Sequence, residues 1–377
     1  MGVSIGMVGL GSFGRAFVPL FRDHPEVSRL ALCDADPARL AEVADLAEGG
    51  GRHGVVERYG SLQDLLATDI EAVVLITQPW LHYEQALAAL EAGKHVYSAV
   101  PVVYGFEASA ILDQLDHLVR TVERTGLIYM MGETTYFRRE VMYCRQRAAA
   151  GDFGQFTYAE CEYWHDLDSP SSNLREVARR RWGADWGPDK RGGVPMFYPT
   201  HSLGGVVSVM GSRMVSVSAR GYVYPGDDWF ARDTLEGNVF SNEVALYEAA
   251  NGALVRHGEF RRIGHPNREG VRILGTEGCF LDDASGSRWT TRHGWEPLDL
   301  SDVGEALPPA LAANLGGHGG SHAYLVHEFV DSCARGRLPR IHVWEAARYL
   351  APGLVAHQSA LRDGETLPIP DWGDAPA

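Results

Sequence analysis

The sequence predicts an α/β protein of two domains, and three observations support this prediction. The chain has 377 residues, which is more than one hydrophobic core usually serves. Its N-terminal third alternates short apolar runs with helical patterns, as in a parallel sheet covered by helices. Beyond about residue 126, longer segments of alternating polar and apolar side chains are typical of an open, mainly antiparallel sheet. We therefore expect one domain over 1–127 and a second α/β domain over 128–377.

The first apolar strand runs directly into a glycine-rich turn. Residues 3–8 are mostly apolar, and GLGSFG at 9–14 has the GxGxxG spacing of a strand-to-helix turn that binds a dinucleotide. The next strand ends at Asp34, where a carboxylate accepts hydrogen bonds from ribose hydroxyls. Ala35 follows instead of a basic residue, so NAD is favoured over NADP. These features predict an N-terminal Rossmann domain with cofactor contacts at Gly9, Gly11, Ser12, Phe13, Gly14 and Asp34.

Composition excludes several classes of partner. The 34 Lys and Arg against 49 Asp and Glu give a net charge of −15, which repels nucleic acid and anionic membranes. The five cysteines are scattered without a CxxC pair, which indicates reduced thiols. The N-terminus has no basic region and enters a strand at once, so we expect neither a signal peptide nor a membrane span. A cytoplasmic location follows as an expectation.

Several segments together carry a resemblance to a known family. They are GLGSFGRAF at 9–17, TQPWLHYEQALAALEAGKHVY at 77–97, AVP at 99–101, GDFG at 151–154 and GGVPMFYPTHSLGG at 192–205. The chain resembles the glucose–fructose oxidoreductase/inositol dehydrogenase (Gfo/Idh/MocA) family over nearly its whole length. We expect Thr77, Gln78, Trp80, His82 and Pro101 to contact the cofactor too.

One position departs from this family. Its 99–101 turn usually reads Glu-Lys-Pro, and the lysine commonly contacts the reacting hydroxyl and the nicotinamide ribose. Here Val100 replaces the lysine, and valine can neither carry a proton nor donate a hydrogen bond. The usual role of the lysine therefore cannot be transferred to this chain.

Four local matches resemble one branch of the family, the NAD-dependent α-N-acetylgalactosaminidases and related glycosidases. They are GETTY at 132–136, EYWHDL at 162–167, YPTH at 198–201 and GHGG at 317–320. The resemblance implies a sugar or glycoside substrate that is oxidised at C3 by retained NAD, loses its glycosidic group by elimination, adds water and is reduced again. Two alternatives remain: a sugar or polyol dehydrogenase with net NADH production, and a non-catalytic NAD-binding protein, which the missing lysine motivates.

The candidate catalytic groups are side chains that can hold or move protons in the cleft. His201 follows a Gly-Gly turn and a Tyr-Pro pair, and an imidazole titrates near neutral pH. Tyr163 and His165 lie two apart on a predicted strand and so share one face. The predicted catalytic set is His201, Tyr198, Glu133, Tyr163, His318 and Tyr136. The outer face of the predicted open sheet also suggests a homo-oligomer.

Two further patterns allow more than one interpretation. His318 and His322 have an i, i+4 spacing that zinc ligands use, but two glycines between them argue against a settled helix, and we predict no metal. Four arginines between 175 and 181, with Trp182 and Trp186, could clamp an anionic group on a sugar. Arginine runs are more often solvated helix faces, so none of these residues is included in the predicted site.

Overall fold

The computed structural model describes residues 2–49, 56–170, 172–283 and 285–376. Its first sheet has six parallel strands in the order β3-β2-β1-β4-β5-β6. The strands are β1 (Val3–Val8), β2 (Val27–Cys33), β3 (Glu57–Tyr59), β4 (Ala72–Leu75), β5 (His95–Ala99) and β6 (Tyr129–Gly132). Every residue of β1 and β4 is buried, as a sheet covered on both faces requires. The predicted Rossmann fold is confirmed.

Five helices cover this sheet. They are α1 (Ser12–Asp23), α2 (Pro37–Glu48), α3 (Leu62–Leu66), α4 (His82–Glu91) and α5 (Ala108–Thr125). α1 begins within the glycine-rich turn and continues through Pro19. α2 begins where the sequence indicates, because the Asp36 side chain accepts a hydrogen bond from the Ala38 amide at 3.0 Å and Pro37 fits the first helical position.

The second sheet has nine strands in the order β14-β13-β12-β11-β7-β10-β9-β8-β15. Its pairs are antiparallel except β7 with β10, which confirms the prediction of a mainly antiparallel sheet. The strands are β7 (Phe156–Trp164), β8 (Met214–Tyr222), β9 (Asn242–Ala249), β10 (Leu254–Phe260), β11 (Arg268–Gly275), β12 (Gly278–Asp283), β13 (Gly286–Thr291), β14 (Gly294–Pro297) and β15 (Leu367–Pro368).

The described residues of the C-terminal part of the chain form six further helices. They are α6 (Arg139–Ala149), α7 (Leu174–Trp182), α8 (Leu203–Met210), α9 (Pro309–Ala312), α10 (Ser321–Arg335) and α11 (Val343–Leu361). α11 packs against both α5 and β8, and α10 packs against α1, so these helices join the two sheets. No helix among the described residues has the length and apolar character that crossing a membrane requires.

The chain leaves the first sheet and continues towards the second just after β6. The predicted end of the first domain, residue 127, lies before β6, and the first sheet itself continues to Gly132. The chain then turns through a short 3₁₀ segment at 134–137 into α6. The residues after β6 therefore stand at the junction of the sheets, where the candidate site lies.

Candidate active site

A cavity of about 1420 Å³ lies at the carboxyl ends of β1, β2, β4 and β5 and extends to the second sheet. All eleven predicted cofactor residues line it, as do four of the six predicted catalytic residues. The lining includes Gly9, Gly11, Ser12, Phe13, Gly14, Asp34, Thr77, Gln78, Trp80, His82 and Pro101, together with Tyr163, Tyr198, His201 and His318. One cavity thus brings together residues that are up to about 300 positions apart in the sequence.

The glycine-rich turn leaves room for a phosphate group at the start of α1. Gly9 has a φ of +88°, which favours glycine. A Cβ at Gly14 would lie 2.0 Å from the Gly9 carbonyl oxygen, so the strand and the helix can only approach this closely with glycine there. A Cβ at Gly11 would meet nothing within 4 Å. An open turn at a helix N-terminus fits a dinucleotide diphosphate.

Asp34 is buried at the end of β2, where the ribose of a dinucleotide binds in this fold. Its carboxylate accepts hydrogen bonds from the Leu10 amide at 2.7 Å and the Asp36 amide at 2.9 Å. Arg39, in the first turn of α2, lies 3.2 Å from the same carboxylate. The sequence interpretation considered only Ala35 as a neighbour and missed this arginine. The carboxylate and the guanidinium together form part of the cavity wall.

The loops after β4 and β5 are tied together by His82. Its Nδ1 lies 2.8 Å from the Pro101 carbonyl oxygen and its Nε2 lies 3.1 Å from the Thr77 carbonyl oxygen. Burial lowers the pKa of this imidazole, and the two carbonyl contacts oppose that effect. His82 therefore holds together two loops that line the cavity. Val100, beside Pro101, also lines the cavity.

His201 is held by a buried carboxylate. Its Nδ1 lies 2.8 Å from Glu133 Oε1, and Glu133, which follows β6, is fully buried. Burial alone would lower the pKa of His201, but the Glu133 carboxylate raises it, with Tyr198 adding to the effect, to about 10. The Glu133 carboxyl has a pKa below its ordinary value, since His201 outweighs the effect of burial. Glu133 is thus not a solvated surface charge, and it acts on the cavity through His201.

A second charged group lies beside this pair. The ring of Tyr163 stacks on that of His165 with centroids 3.9 Å apart. His165 Nε2 lies 3.0 Å from Glu269, and Glu269 also forms an ion pair with Arg138. Burial opposes ionisation of Glu269, but His165 and Arg138 together lower its pKa to about 2. The sequence analysis identified the shared face of Tyr163 and His165 but missed their charged partners.

His318 belongs to a short chain of hydrogen bonds. The Gly317 amide donates to His322 Nδ1 at 3.2 Å, and His322 Nε2 lies 2.8 Å from His318 Nδ1. Burial lowers the pKa of both imidazoles, so both rings are neutral at neutral pH. His322 must then donate from Nε2, which leaves Nε2–H as the remaining donor of His318.

The hydrogen bond between the two rings uses the nitrogens that a shared metal would need. In the described part of the chain, no group of three or more His, Cys, Asp or Glu side chains is placed to hold a metal ion.

Tyr136 does not reach the cavity. It lies in the 3₁₀ segment after Glu133, and the Arg145 guanidinium lies 3.7 Å from the centre of its ring. The turn of this segment directs Tyr136 towards α6, while Glu133 is directed towards His201. The structure thus places the predicted catalytic Tyr136 outside the cavity wall, and Glu133 behind it.

The comparisons with known proteins agree with this geometry. A family model described as "Oxidoreductase family, NAD-binding Rossmann fold" (GFO_IDH_MocA) matches residues 3–133. Glycosyl hydrolase family 109 proteins from Streptomyces filamentosus and Solibacter usitatus are 28% and 27% identical to this chain. Each alignment covers 98% of this chain, and 77% and 88% of the respective relative.

Solved structures share the whole fold. A levoglucosan dehydrogenase in complex with NADH and levoglucosan matches with a TM-score of 0.74 at 19% identity, covering 98% of this chain and 100% of the other. A scyllo-inositol dehydrogenase from Lactobacillus casei with bound NAD(H) and scyllo-inositol matches with a TM-score of 0.70 at 17% identity, covering 98% and 99%. The family model thus matches residues 3–133, the similarity to family 109 glycosyl hydrolases extends over nearly the whole chain, and the two dehydrogenases share its fold.

Proposed function

We propose that this protein is an NAD-dependent glycosidase that oxidises C3 of its substrate transiently and keeps the cofactor bound. The observation that carries the proposal is the His201–Glu133 pair, which supplies a base in a cavity where Val100 replaces the usual lysine. The family 109 glycosyl hydrolases, which are similar over 98% of this chain, support the same class of reaction.

The cavity fits NAD along one side. The open turn at 9–14 would hold the diphosphate, and Asp34 would accept hydrogen bonds from the hydroxyls of the adenosine ribose. The loops joined by His82 would border the nicotinamide half of the cofactor. Bound NAD would supply the site that accepts the C3 hydride and later returns it. The remaining steps are proton transfers, for which this chain must provide the groups.

His201 is the proposed base for the C3 hydroxyl, acting in its neutral form, which its raised pKa makes the minor form at neutral pH. Because Nδ1 is held by Glu133, Nε2 is the ring nitrogen left to take the hydroxyl proton as the C3–H bond breaks. The carboxylate that raises the pKa of His201 also stabilises the imidazolium formed in this step. Once C3 is a ketone, the hydrogen on C2 becomes acidic.

Tyr163 is the proposed base for the C2 proton. Burial, with the Glu269 carboxylate adding to it, raises the pKa of its phenol well above the ordinary value, and the Arg261 guanidinium, 4.8 Å from the ring centre, opposes that shift. As C2 loses its proton, the C1–O bond breaks, and we propose that His318 Nε2–H donates a hydrogen bond to the departing oxygen, which takes its proton from the water molecule that then adds to C1. Water then adds at C1, C2 regains a proton and the C3 ketone is reduced, so the net reaction is hydrolysis.

A direct assay tests this function. The purified protein is incubated with a panel of aryl glycosides of both anomers, with and without added NAD, while aglycone release and NADH absorbance are followed together. Aglycone release without net NADH is the expected result. Accumulating NADH would instead favour a sugar or polyol dehydrogenase. The two structural neighbours named above are dehydrogenases of this kind. Absence of both products with every substrate would favour a protein that only binds NAD.

Cofactor preference gives a second test, at Asp34. We expect NAD to bind more tightly than NADP, because the buried carboxylate repels a 2′-phosphate. In Asp34→Ala this repulsion is lost and Arg39 is released from its ion pair. The ratio of NAD affinity to NADP affinity should therefore fall by roughly 10-fold or more, which corresponds to the free energy of one charge-assisted hydrogen bond.

Isothermal titration of both cofactors into both proteins measures the change. Asp45→Asn removes an exposed charge from α2, the helix that carries Arg39, and serves as the control. Equal affinity of the wild-type protein for NAD and NADP would contradict the assignment.

We also propose that the chain works in the cytoplasm as a homo-oligomer. All five cysteines are free, which fits a reducing compartment. The outer face of β9 and β10 exposes Val244, Leu246 and Leu254, which are 38%, 48% and 45% exposed. Such an apolar face suits pairing with a second copy. Size-exclusion chromatography with light scattering tests the oligomer.

A further inference from the structure

A basic and aromatic segment covers the cavity from the side of the second sheet. α7 carries Arg181 and Trp182 into the cavity wall, and the following loop adds Lys190. None of the residues of α7 is buried. A small separate cluster, in which Leu174 and Ala178 pack beside Trp229, holds the helix in place. The helix therefore presents its side chains to the cavity without belonging to the main core.

Arg181 differs from the other cations of the cavity wall in its pairing. Among the described residues, six cationic side chains line the cavity: Arg39, Arg138, Arg180, Arg181, Lys190 and Arg261. Five of them form ion pairs, with Asp34, Glu269, Glu176, Asp189 and Glu259 respectively. Within the described part of the chain, Arg181 has no carboxylate partner and no hydrogen bond. A half-buried guanidinium without a counter-charge is the feature that needs explanation.

Aromatic contacts join Trp182, the neighbour of Arg181 in α7, to the loops on this side of the cavity. Trp182 stacks on Trp80 with ring centroids 4.3 Å apart, and Trp80 contacts Tyr104. The Tyr104 hydroxyl lies 3.2 Å from Glu236, whose other oxygen accepts from the Val194 amide at 2.6 Å. Val194 begins the short segment that leads to Tyr198 and His201. This side of the cavity thus borders the segment from Val194 to His201, which carries the proposed base.

A free guanidinium in such a wall suits an oxyanion. Its planar fork matches a carboxylate or a sulfate with two parallel hydrogen bonds. The chain as a whole carries a net charge of −15, so an anionic substrate would be repelled by most of the surface. We propose that Arg181 binds an oxyanion carried by the substrate, so that the preferred glycosides are uronides or sulfated sugars. This inference rests on the proposed glycosidase function.

The diphosphate of NAD is the other oxyanion that could occupy this position. The turn at 9–14 and the N-terminus of α1 already provide its expected site. Arg181 acts electrostatically on His82 and Tyr104, which follow β4 and β5, on the nicotinamide side of the cavity. The position of Arg181 therefore favours the substrate, and the experiment separates the two sources.

The test compares Arg181→Ala with the wild-type protein and with Arg179→Ala. Arg179 lies two residues away on the same exposed helix and is not among the cavity-lining residues, so its replacement controls for the loss of one charge. The probes are phenyl glucosides and galactosides, their C6-carboxylate forms and their 6-sulfates. Affinity for NAD and for each probe on the NAD-loaded protein is measured by calorimetry, and aglycone release is followed separately.

Arg181→Ala is expected to weaken binding of the carboxylate or sulfate probes by roughly 10–100-fold, while neutral probes and NAD bind as before. Arg179→Ala should change neither. A fall in NAD affinity, with all probes affected alike, would assign Arg181 to the diphosphate and overturn the proposal. Wild-type protein that binds the anionic probes no more tightly than the neutral ones would also overturn it. Arg181-dependent binding without any aglycone release would contradict the glycosidase function alone.

Discussion

Replacing His201 by alanine is expected to lower turnover by roughly 10²–10⁴-fold, the range for loss of an acid/base group. The imidazole is the proposed acceptor of the C3 hydroxyl proton, and no lysine stands at position 100 to replace it. The measurement is aglycone release from a cleaved aryl glycoside, with circular dichroism and thermal unfolding to show that the variant is folded.

The alanine variant leaves the Glu133 carboxylate buried without its partner, which can cost stability. If the alanine variant is unstable, His201→Asn is used instead. The asparagine amide can still donate a hydrogen bond to Glu133, but no basic nitrogen remains. His357 provides a matched control: its Nδ1 lies 2.7 Å from buried Glu243, and it does not line the cavity. His357→Gln should affect stability and leave turnover of the folded protein unchanged. Full activity in either folded His201 variant would refute the assignment.

The pH dependence of activity shows whether His201 acts as a base or only fills space in the cavity wall. Activity that needs neutral His201 rises with pH as the ring loses its proton, and Glu133 delays this loss by raising the pKa towards about 10. In Glu133→Gln the carboxylate is absent, so the pKa falls and the rise in kcat/KM should move to lower pH. An unchanged profile in Glu133→Gln would show that His201 is not the group that titrates.

Local patterns in the sequence were sufficient to predict the residues on one side of the cavity, where we propose that the cofactor binds. The GxGxxG turn, the acidic end of β2 and the loop after β4 are each set by neighbouring residues, and all of them line the cavity. Arg39 was missed because it lies on the next helix. The cap at Asp36 could have identified it, since a residue three positions into a helix turns back towards the end of the preceding strand.

The substrate side could not be predicted in the same way, because its contacts join distant segments. Glu133 and His201 are 68 positions apart, and Arg138 and Glu269 are 131 positions apart. Each residue was visible as a titratable group, but only tertiary packing determines which groups meet. Tyr136 illustrates the limit: a single 3₁₀ turn after Glu133 directs it away from the cavity.

Substrates altered at C3 are expected not to be cleaved at all, because elimination depends on a transient C3 ketone. A glycoside whose C3 hydroxyl is replaced by hydrogen or methylated cannot form this ketone, so C2 keeps an ordinary, non-acidic hydrogen. The test measures aglycone release from the 3-deoxy and 3-O-methyl forms of a glycoside that the protein does cleave, with the 6-deoxy form as a control that leaves the reacting carbons intact. Because a 6-deoxy sugar cannot carry a carboxylate or a sulfate at C6, this control is made from a neutral glycoside that the protein cleaves.

The same mechanism requires solvent hydrogen to enter the sugar. When the C2 proton passes to Tyr163 and a proton later returns from a group in exchange with water, reaction in heavy water should give product with deuterium at C2. A hydrolase that uses two carboxylates breaks the C1–O bond without touching the C2 hydrogen, so its product would carry none. Mass spectrometry, together with the proton NMR signal of C2, measures the deuterium content of the product at this carbon. Cleavage of a 3-deoxy glycoside, or product free of C2 deuterium after many turnovers, would exclude the oxidation–elimination route even if His201 and Tyr163 prove essential.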